Sequence, residues 1–232
     1  MKRLWLALGA AFVGLTPFAA HAQTADWQGP YVGVSLGGAN YDSSGTDVDG
    51  YNSTGEVVDA NGDGWGAGVL AGYDWRFGQW VVGGVVDAQF VDGSGEGAST
   101  FFGGDTIYTT QVDNIMTLRA RGGWVFGESI LLYATGGVGL LSTEFAVNDR
   151  STTLGAGLLN GSTDDNETVA VYGAGVEYRV TPNSTIGLDY LHADADDITV
   201  NALCTASCTG TPFDFNFEQD YDFYRFSWNW SF

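Results

Sequence analysis

The chain has 232 residues, enough for one sizeable β domain or two small domains. Glycine supplies 35 residues and proline only 4, which excludes collagen-like and proline-rich disordered chains. An aromatic share of 14% also excludes a disordered protein of low hydrophobicity. The chain has 8 basic residues against 28 acidic ones, and phosphate binding needs clustered Lys and Arg, so nucleic acid is not expected as a partner.

The first 22 residues have the features of a secretory signal peptide. Lys2 and Arg3 precede an apolar run, and the segment ends in Ala20-His21-Ala22, the small-x-small pattern that signal peptidase cleaves. We therefore expect residues 1–22 to be removed and residues 23–232 to form one domain. A membrane-anchoring helix is the alternative, which the short apolar run disfavours. Cleavage leaves six basic residues against 28 acidic ones, a net charge of −22.

Beyond residue 22 the chain alternates between apolar and polar residues with a period of two, which is typical of strands with two different faces. The alternation predicts eight strands, at about 29–41, 64–77, 80–92, 110–126, 130–142, 167–180, 184–194 and 219–232.

The predicted connections are of two kinds. Three are tight turns, at 78–79, 127–129 and 181–183. Four are long stretches rich in Gly, Asp, Ser, Thr and Asn, at 42–63, 93–109, 149–166 and 195–218. Short turns at one end and long loops at the other are expected of a transmembrane barrel. The sequence thus predicts an all-β, eight-stranded antiparallel up-and-down transmembrane barrel with short periplasmic turns and four long extracellular loops.

The last predicted strand shows which face points outward. One face carries Tyr224, Phe226, Trp228, Trp230 and Phe232, whereas the intervening positions are Arg225, Ser227, Asn229 and Ser231. A soluble barrel with the aromatic face inside is the alternative, but the interior of an eight-stranded barrel is too narrow for so many rings. We therefore expect the aromatic face to contact lipid and the small, polar face to line the lumen.

Aromatic residues also cluster beside the short turns and the C-terminus, where an interfacial girdle is expected. The predicted members of this girdle are Trp75, Phe77, Trp80, Trp124, Phe126, Tyr178, Trp230 and Phe232. Candidates for the opposite girdle are Trp65, Phe90, Tyr172, Tyr190 and Tyr224.

Nine charged residues fall on the inward face of the predicted strands. They are Arg76, Arg119, Arg121, Arg179, Arg225, Asp74, Asp87, Glu177 and Asp189. Charges removed from water need partners, so we expect a paired network that plugs the lumen. A selectivity lining for an ion path is the alternative, which a barrel of only eight strands disfavours.

Three segments resemble a known family. They are residues 27–38 (WQGPYVGVSLGG), 131–139 (LLYATGGVG) and the aromatic end 224–232 (YRFSWNWSF). The chain resembles the small eight-stranded outer-membrane β-barrel proteins of Gram-negative bacteria, the "porin family" or outer-membrane immunogenic proteins. The resemblance implies export to the outer membrane and contact with its lipid. The terminal Phe232 is similar to the signal that the outer-membrane assembly machinery reads.

Family members are implied to be surface-exposed structural proteins and antigens, and some are credited with adhesion, haemin binding or weak channel activity. None of these activities has a motif that can be transferred to this sequence. We therefore expect a structural surface protein with a charge-plugged lumen. The alternatives are a narrow ion or small-solute channel, and an adhesin or ligand-binding protein that uses its acidic loops. The identity of any surface ligand is not encoded in a recognisable motif.

The remaining candidate sites are weak. Export into an oxidising compartment predicts a disulfide between Cys204 and Cys208. Asp59, Asn61 and Asp63 match half of a calcium loop, but its twelfth position is Leu70 where a glutamate is required, so we expect neither a metal nor another cofactor.

One mature histidine raises the question of catalysis. His192 with a nearby serine and Asp194 could serve lipid hydrolysis, but its outward parity near the rim favours a surface histidine. We therefore do not expect an enzyme.

Overall fold

The computed structural model describes residues 27–101, 105–150, 158–205, 208 and 210–232. The predicted signal peptide at 1–22 lies outside the described residues. The strands are β1 (Gly29–Asp47), β2 (Val57–Asp59), β3 (Gly62–Phe77), β4 (Trp80–Ala98), β5 (Thr106–Phe126), β6 (Ile130–Asp149), β7 (Leu159–Thr181), β8 (Ser184–Asp194), β9 (Ile198–Cys204) and β10 (Pro212–Ser231). Within the described residues, no helix has the length and apolar character to cross a membrane.

The eight long strands close into a ring in the order β1-β3-β4-β5-β6-β7-β8-β10, with β10 pairing back onto β1. All pairings are antiparallel, and the closing pair runs from Tyr31 opposite Ser231 to Asp47 opposite Phe215. The predicted eight-stranded antiparallel barrel is confirmed. The two short strands are additions to it. Strand β9 pairs with both β7 and β10 and so continues β8 after a break at 195–197, while β2 pairs with β1.

The strands extend much further than the sequence pattern suggested, so about half or more of each predicted long connection lies in strands. Strand β1 runs to Asp47, β4 to Ala98 and β6 to Asp149. A strand of 19 residues rises about 48 Å when tilted by about 40°, whereas the lipid-facing band of such barrels is about 25 Å tall. The barrel beyond the level of Asn40, Asp92 and Asp222 therefore stands outside the membrane, and we call it the outer extension.

The interior of the barrel changes character with height. The charged residues occupy the half nearer the short turns, where most outward side chains are apolar. In the outer extension the large buried side chains are mostly apolar and aromatic, with Ser43, Thr110 and Thr143 among the buried polar ones. The largest buried rings in it are Tyr41, Tyr108, Phe145, Phe215, Phe217 and Tyr221, and Phe223 lies just below it. The sequence pattern placed most of these residues in loops or left them unassigned. Because no lipid surrounds this part, the hydrophobic effect drives its rings inward.

The lipid-facing band follows the predicted parity. Val69 and Leu118 are 58% and 63% exposed on the barrel exterior. All eight predicted girdle residues lie near the short turns or the C-terminus, and all except Trp124 are exposed. Trp124 is half-buried because its ring meets that of Trp80 edge-on at 4.7 Å. The lumen side is narrow: a Cβ at Gly68 would lie 2.6 Å from the carbonyl oxygen of Ala88, so only glycine fits there without a shift.

The orientation of the barrel can be tested by cysteine labelling. Thr54, in the β1–β2 connection, and Gln79, in the β3–β4 turn, are both exposed. We expect a membrane-impermeant maleimide to label Thr54→Cys on intact cells and to label Gln79→Cys only after the outer membrane is permeabilised. The native Cys204 and Cys208 are joined in a disulfide and give no background. Labelling of Gln79→Cys alone on intact cells would mean that the barrel is inserted the other way round.

Candidate functional site

The first group of lumen charges is centred on Asp87 of β4. Its carboxylate lies 2.6 Å from the Arg119 guanidinium and 2.7 Å from that of Arg225. Arg225 also lies 2.6 Å from Asp189, and the Thr117 hydroxyl donates to Asp87. Each of these four charged side chains is less than a tenth exposed. The group therefore joins β4, β5, β8 and β10 through charge-assisted hydrogen bonds.

The second group is centred on Arg121 of β5. Its guanidinium forms ion pairs with Asp74 and, at 2.6 Å, with Glu177. The same guanidinium lies 4.7 Å from the ring centre of Tyr31 and 5.2 Å from that of Tyr133. Two carboxylates and two aromatic faces thus surround one cation, which is how a buried guanidinium offsets the loss of its hydration.

The two groups together form one charged layer across the lumen, with three arginines and four carboxylates. It arises because Thr117, Arg119 and Arg121 alternate on the inward face of β5, while the acidic partners come from β3, β4, β7 and β8. Cavities of about 20 Å³ and 10 Å³ remain beside the layer, each of a size to hold about one water molecule. The geometry cross-links strands that are not neighbours in the ring.

The other two predicted arginines lie at the periplasmic rim rather than in this layer. Arg76 is 2.9 Å from Glu128 in the β5–β6 turn. The Arg179 guanidinium stacks on the Trp27 ring at 4.3 Å. Both have the predicted inward parity, but their strands end within a few residues, so Arg76 reaches the β5–β6 turn and Arg179 reaches Trp27 just before β1 instead of the lumen centre.

The outer mouth of the barrel is crossed by residues 48–56, which we call the lid. The buried Asp47 carboxylate accepts backbone N–H groups of Gly50, Tyr51, Asn52 and Ser53 at 2.7–3.2 Å, which fixes the start of the lid. Such multiple acceptance by one carboxylate holds a turn firmly.

The far side of the lid is tied to other strands. The Tyr51 hydroxyl donates to Asp149 at the end of β6, which lies opposite β1 in the ring. Burial, reinforced by the bond to Asp149, raises the pKa of the Tyr51 phenol above its ordinary value, so it stays a donor. The Glu56 carboxylate accepts from the Ser99 hydroxyl at 2.8 Å, near the tip of the β4–β5 hairpin. The lid thus spans the mouth above the apolar interior of the outer extension.

The remaining sequence candidates lie apart from the lumen. Cys204 and Cys208 form a disulfide at the tip between β9 and β10. Of the half calcium loop, Asp59 ends β2 and Asp63 lies in β3, while the Asn61 side chain accepts from the Ser43 backbone N–H at 2.9 Å. Within the described ranges, no three His, Cys, Asp or Glu side chains are grouped to hold a metal ion.

His192 is paired with a different acid from the one that the sequence suggested. Its Nδ1 lies 2.8 Å from Asp222 of β10, whereas Asp194 is an exposed residue at the end of β8. Asp222 was missed because it is 30 positions away in the chain and becomes adjacent only through the β8–β10 register.

Sequence reasoning also missed the lid and the aromatic interior of the outer extension. The interior had a signal, because Phe213, Phe215 and Phe217 continue the alternation of the last strand upstream of residue 219. The crossing of the mouth by the lid had no comparable signal, since the bonds to Asp149 and Ser99 join residues that are far apart in the chain.

Comparison with known proteins agrees with this architecture. A family model described as an outer membrane protein beta-barrel domain matches residues 8–206. The 31 kDa outer-membrane immunogenic proteins of Brucella melitensis and Brucella suis are each 30% identical over 185 residues, covering 77% of this chain and 75% of the relative.

Two solved structures share the fold. The outer membrane protein OprG from Pseudomonas aeruginosa aligns with a TM-score of 0.56 and 14% identity, covering 90% of this chain and 99% of that one. The outer membrane protease OmpT from Escherichia coli aligns with a TM-score of 0.56 and 7% identity, covering 88% and 97%. At these identities the likeness concerns the fold alone. The matched family model, the sequence relatives and the closed ring of strands together show that this chain belongs to the outer membrane protein β-barrel family.

Proposed function

We propose that the chain is a non-catalytic structural protein of the cell surface, whose barrel is anchored in outer-membrane lipid and closed to solute passage. The main support is the charged layer, in which Arg121 and Arg225 each bridge two carboxylates from different strands. The aromatic interior of the outer extension and the lid add two further barriers above it.

The proposed role at the cell surface rests on the outer extension, which stands outside the membrane. The described part of the outer extension consists largely of paired strands, and its exterior is acidic, with exposed carboxylates such as Asp42, Asp92 and Glu218. The relatives in Brucella carry the name immunogenic, and we extend a surface-antigen role to this chain. This acidic exterior is the surface that the protein presents to ligands outside the cell.

Export and assembly complete the proposal. We assign residues 1–22 to a cleaved signal peptide and residues 23–232 to the barrel. The C-terminal strand β10, which alternates outward aromatic residues up to Trp230, is proposed as the segment that the assembly machinery binds.

Planar-bilayer recording tests the closed barrel. We expect refolded protein to give no steady conductance above the leak of the bilayer, because the two lumen cavities beside the charged layer hold about one water molecule each. A lid variant, Tyr51→Phe, is the matched control, since it loosens the mouth and leaves the charged layer intact. Stable, ion-selective conductance steps from the unmodified protein would contradict the charge-plugged lumen and favour a narrow ion channel.

A further inference from the structure

The indole of Trp27 crosses the periplasmic mouth of the barrel. Trp27 lies just before β1 and is 5% exposed. Its Nε1 donates to the backbone carbonyl oxygen of Glu128 at 3.2 Å, in the β5–β6 turn. Three strands separate β1 from β6 on either side of the ring, so this turn lies across the barrel from β1. The side chain therefore reaches over the opening instead of lying against its own strand.

The contacts of the indole come from the far wall of the barrel. The guanidinium of Arg179 on β7 stacks on the ring at 4.3 Å. Apolar side chains of three other strands pack with it, namely Val81 of β4, Val125 of β5, and Leu131 and Tyr133 of β6. The ring face thus has a cation, the N–H has an acceptor and the apolar edge has a hydrophobic seat. These contacts together fix the indole in the mouth.

Trp27 differs from the girdle tryptophans in both burial and direction. Trp75 and Trp80 lie at the same end of the barrel and are 49% and 58% exposed on the lipid-facing side. Trp27 instead has the inward parity of Tyr31, which is buried in the lumen. An interfacial anchor would point toward lipid. Anchoring in the membrane therefore does not account for the position of Trp27.

A cavity of about 10 Å³ joins the indole to the charged layer. Its lining includes Trp27 and, from the charged layer, Arg121 and Glu177. Within the described residues, neither the Tyr31 hydroxyl nor Oδ1 of Asn229 has a hydrogen-bond partner, and both residues line this cavity. The cavity has room and polar partners for about one water molecule. The indole therefore lies directly beneath the charged layer, with no larger space between them.

We propose that Trp27 is a cork, which closes the periplasmic mouth and keeps periplasmic water from the charged layer. This role rests on the proposed closed barrel and gives it a second seal. Ion pairs weaken as water enters, because the effective dielectric constant around them rises. Arg121 lies nearer the periplasmic end of β5 than Arg119 does. The cork thus keeps the group centred on Arg121 in the dry surroundings where its pairs are strongest.

Thiol labelling through the periplasmic mouth tests the cork. Thr185→Cys places a thiol at a buried position that lines the same cavity, and the native cysteines are joined in a disulfide. A small membrane-impermeant methanethiosulfonate reagent is added to cells with a permeabilised outer membrane. We expect slow labelling with Trp27 in place and a rate at least about tenfold higher in Trp27→Ala, because a cation–π contact and a hydrogen bond that hold the closed state are lost together.

Three controls assign the increase to the cork. Trp80→Ala removes an indole from the outer face at the same end of the barrel and should leave the rate unchanged. Trp27→Phe keeps an aromatic face for Arg179 and should label nearly as slowly as the protein with Trp27. On intact cells Trp27→Ala should give no increase, because the charged layer lies between the cavity and the outside. Asn229→Cys, on the same cavity, serves as a second reporter for the case that Thr185→Cys does not fold.

Three outcomes would overturn the cork. Equal labelling rates with and without Trp27 would show that the indole seals nothing. An equal increase in Trp80→Ala would trace the labelling to general loosening of the barrel. The same increase on intact cells would place the route on the outer side. Failure of the closed barrel itself has a different signature, steady conductance of the unmodified protein in planar bilayers, whereas Trp27→Ala alone should give no conductance because the charged layer remains.

Discussion

Replacing Arg225 with alanine is expected to lower the free energy of unfolding by about 3 to 5 kcal/mol, the cost of leaving buried charges without their partner. Arg225 lies between Asp87 and Asp189, at 2.7 Å and 2.6 Å, and its side chain is 2% exposed. Its loss therefore leaves Asp189 without an ion-pair partner and leaves Asp87 with Arg119 as its remaining one. Urea unfolding of protein refolded into lipid vesicles measures the change.

Two further variants decide whether the loss comes from the stranded charge. Arg150→Ala removes an exposed arginine that is 3.6 Å from Glu96, and should cost less than about 1 kcal/mol. Adding Asp189→Asn to Arg225→Ala should restore part of the stability, because it removes the charge that lost its partner. An Arg225→Ala protein as stable as the unmodified one would show that water reaches the layer freely, and would favour an open lumen.

The barrel could be predicted because its determinants are local. Each strand alternates between apolar and polar residues with a period of two. A shift of its register by one residue would exchange its lipid and lumen faces completely. Arg121 and Leu118, for example, are assigned to opposite faces by parity alone, and the structure places them there.

The choice of partners could not be predicted, because it depends on the register between strands. Parity puts Arg76 and Arg179 on the inward side, but their depth along the barrel depends on where each strand ends. Asp222 meets His192 for the same reason, through a pairing that joins β8 and β10. Local sequence carries no information on such contacts.

The reversal of polarity inside the barrel has a physical origin. Where lipid surrounds the wall, apolar side chains gain by facing outward and the polar ones are forced into the lumen, where they must pair with one another. Where water surrounds the wall, the usual preference returns, and Phe215 and Phe217 point inward while Glu218 is exposed. Strand β10 has both arrangements and alternates without a break. Its inward residues are mostly apolar in the outer extension and polar in the membrane, and its outward residues change in the opposite sense.

Placing an arginine at Leu118 tests this boundary directly, with an expected loss of about 2 to 4 kcal/mol for a charge near the bilayer midplane. Leu118 is 63% exposed on the barrel exterior, between Val86 and Val138 on the neighbouring strands. The guanidinium would have to enter hydrocarbon without a partner. Val69→Arg on β3 should behave in the same way, and urea unfolding in vesicles gives both values.

Two control substitutions on β5 separate the effect of the face on which a residue lies from the effect of its depth in the membrane. Thr117→Ser changes the adjacent inward residue but keeps the hydroxyl that donates to Asp87, so its effect should be small. Gln111→Arg places the same charge on an exposed site of β5, beyond the irregularity between Val112 and Asn114, where water replaces lipid. If Leu118→Arg proved as harmless as Gln111→Arg, Leu118 could not face the membrane. The assignments of the lumen and lipid faces would then have to be exchanged along the whole strand, because alternate residues of a strand lie on opposite faces.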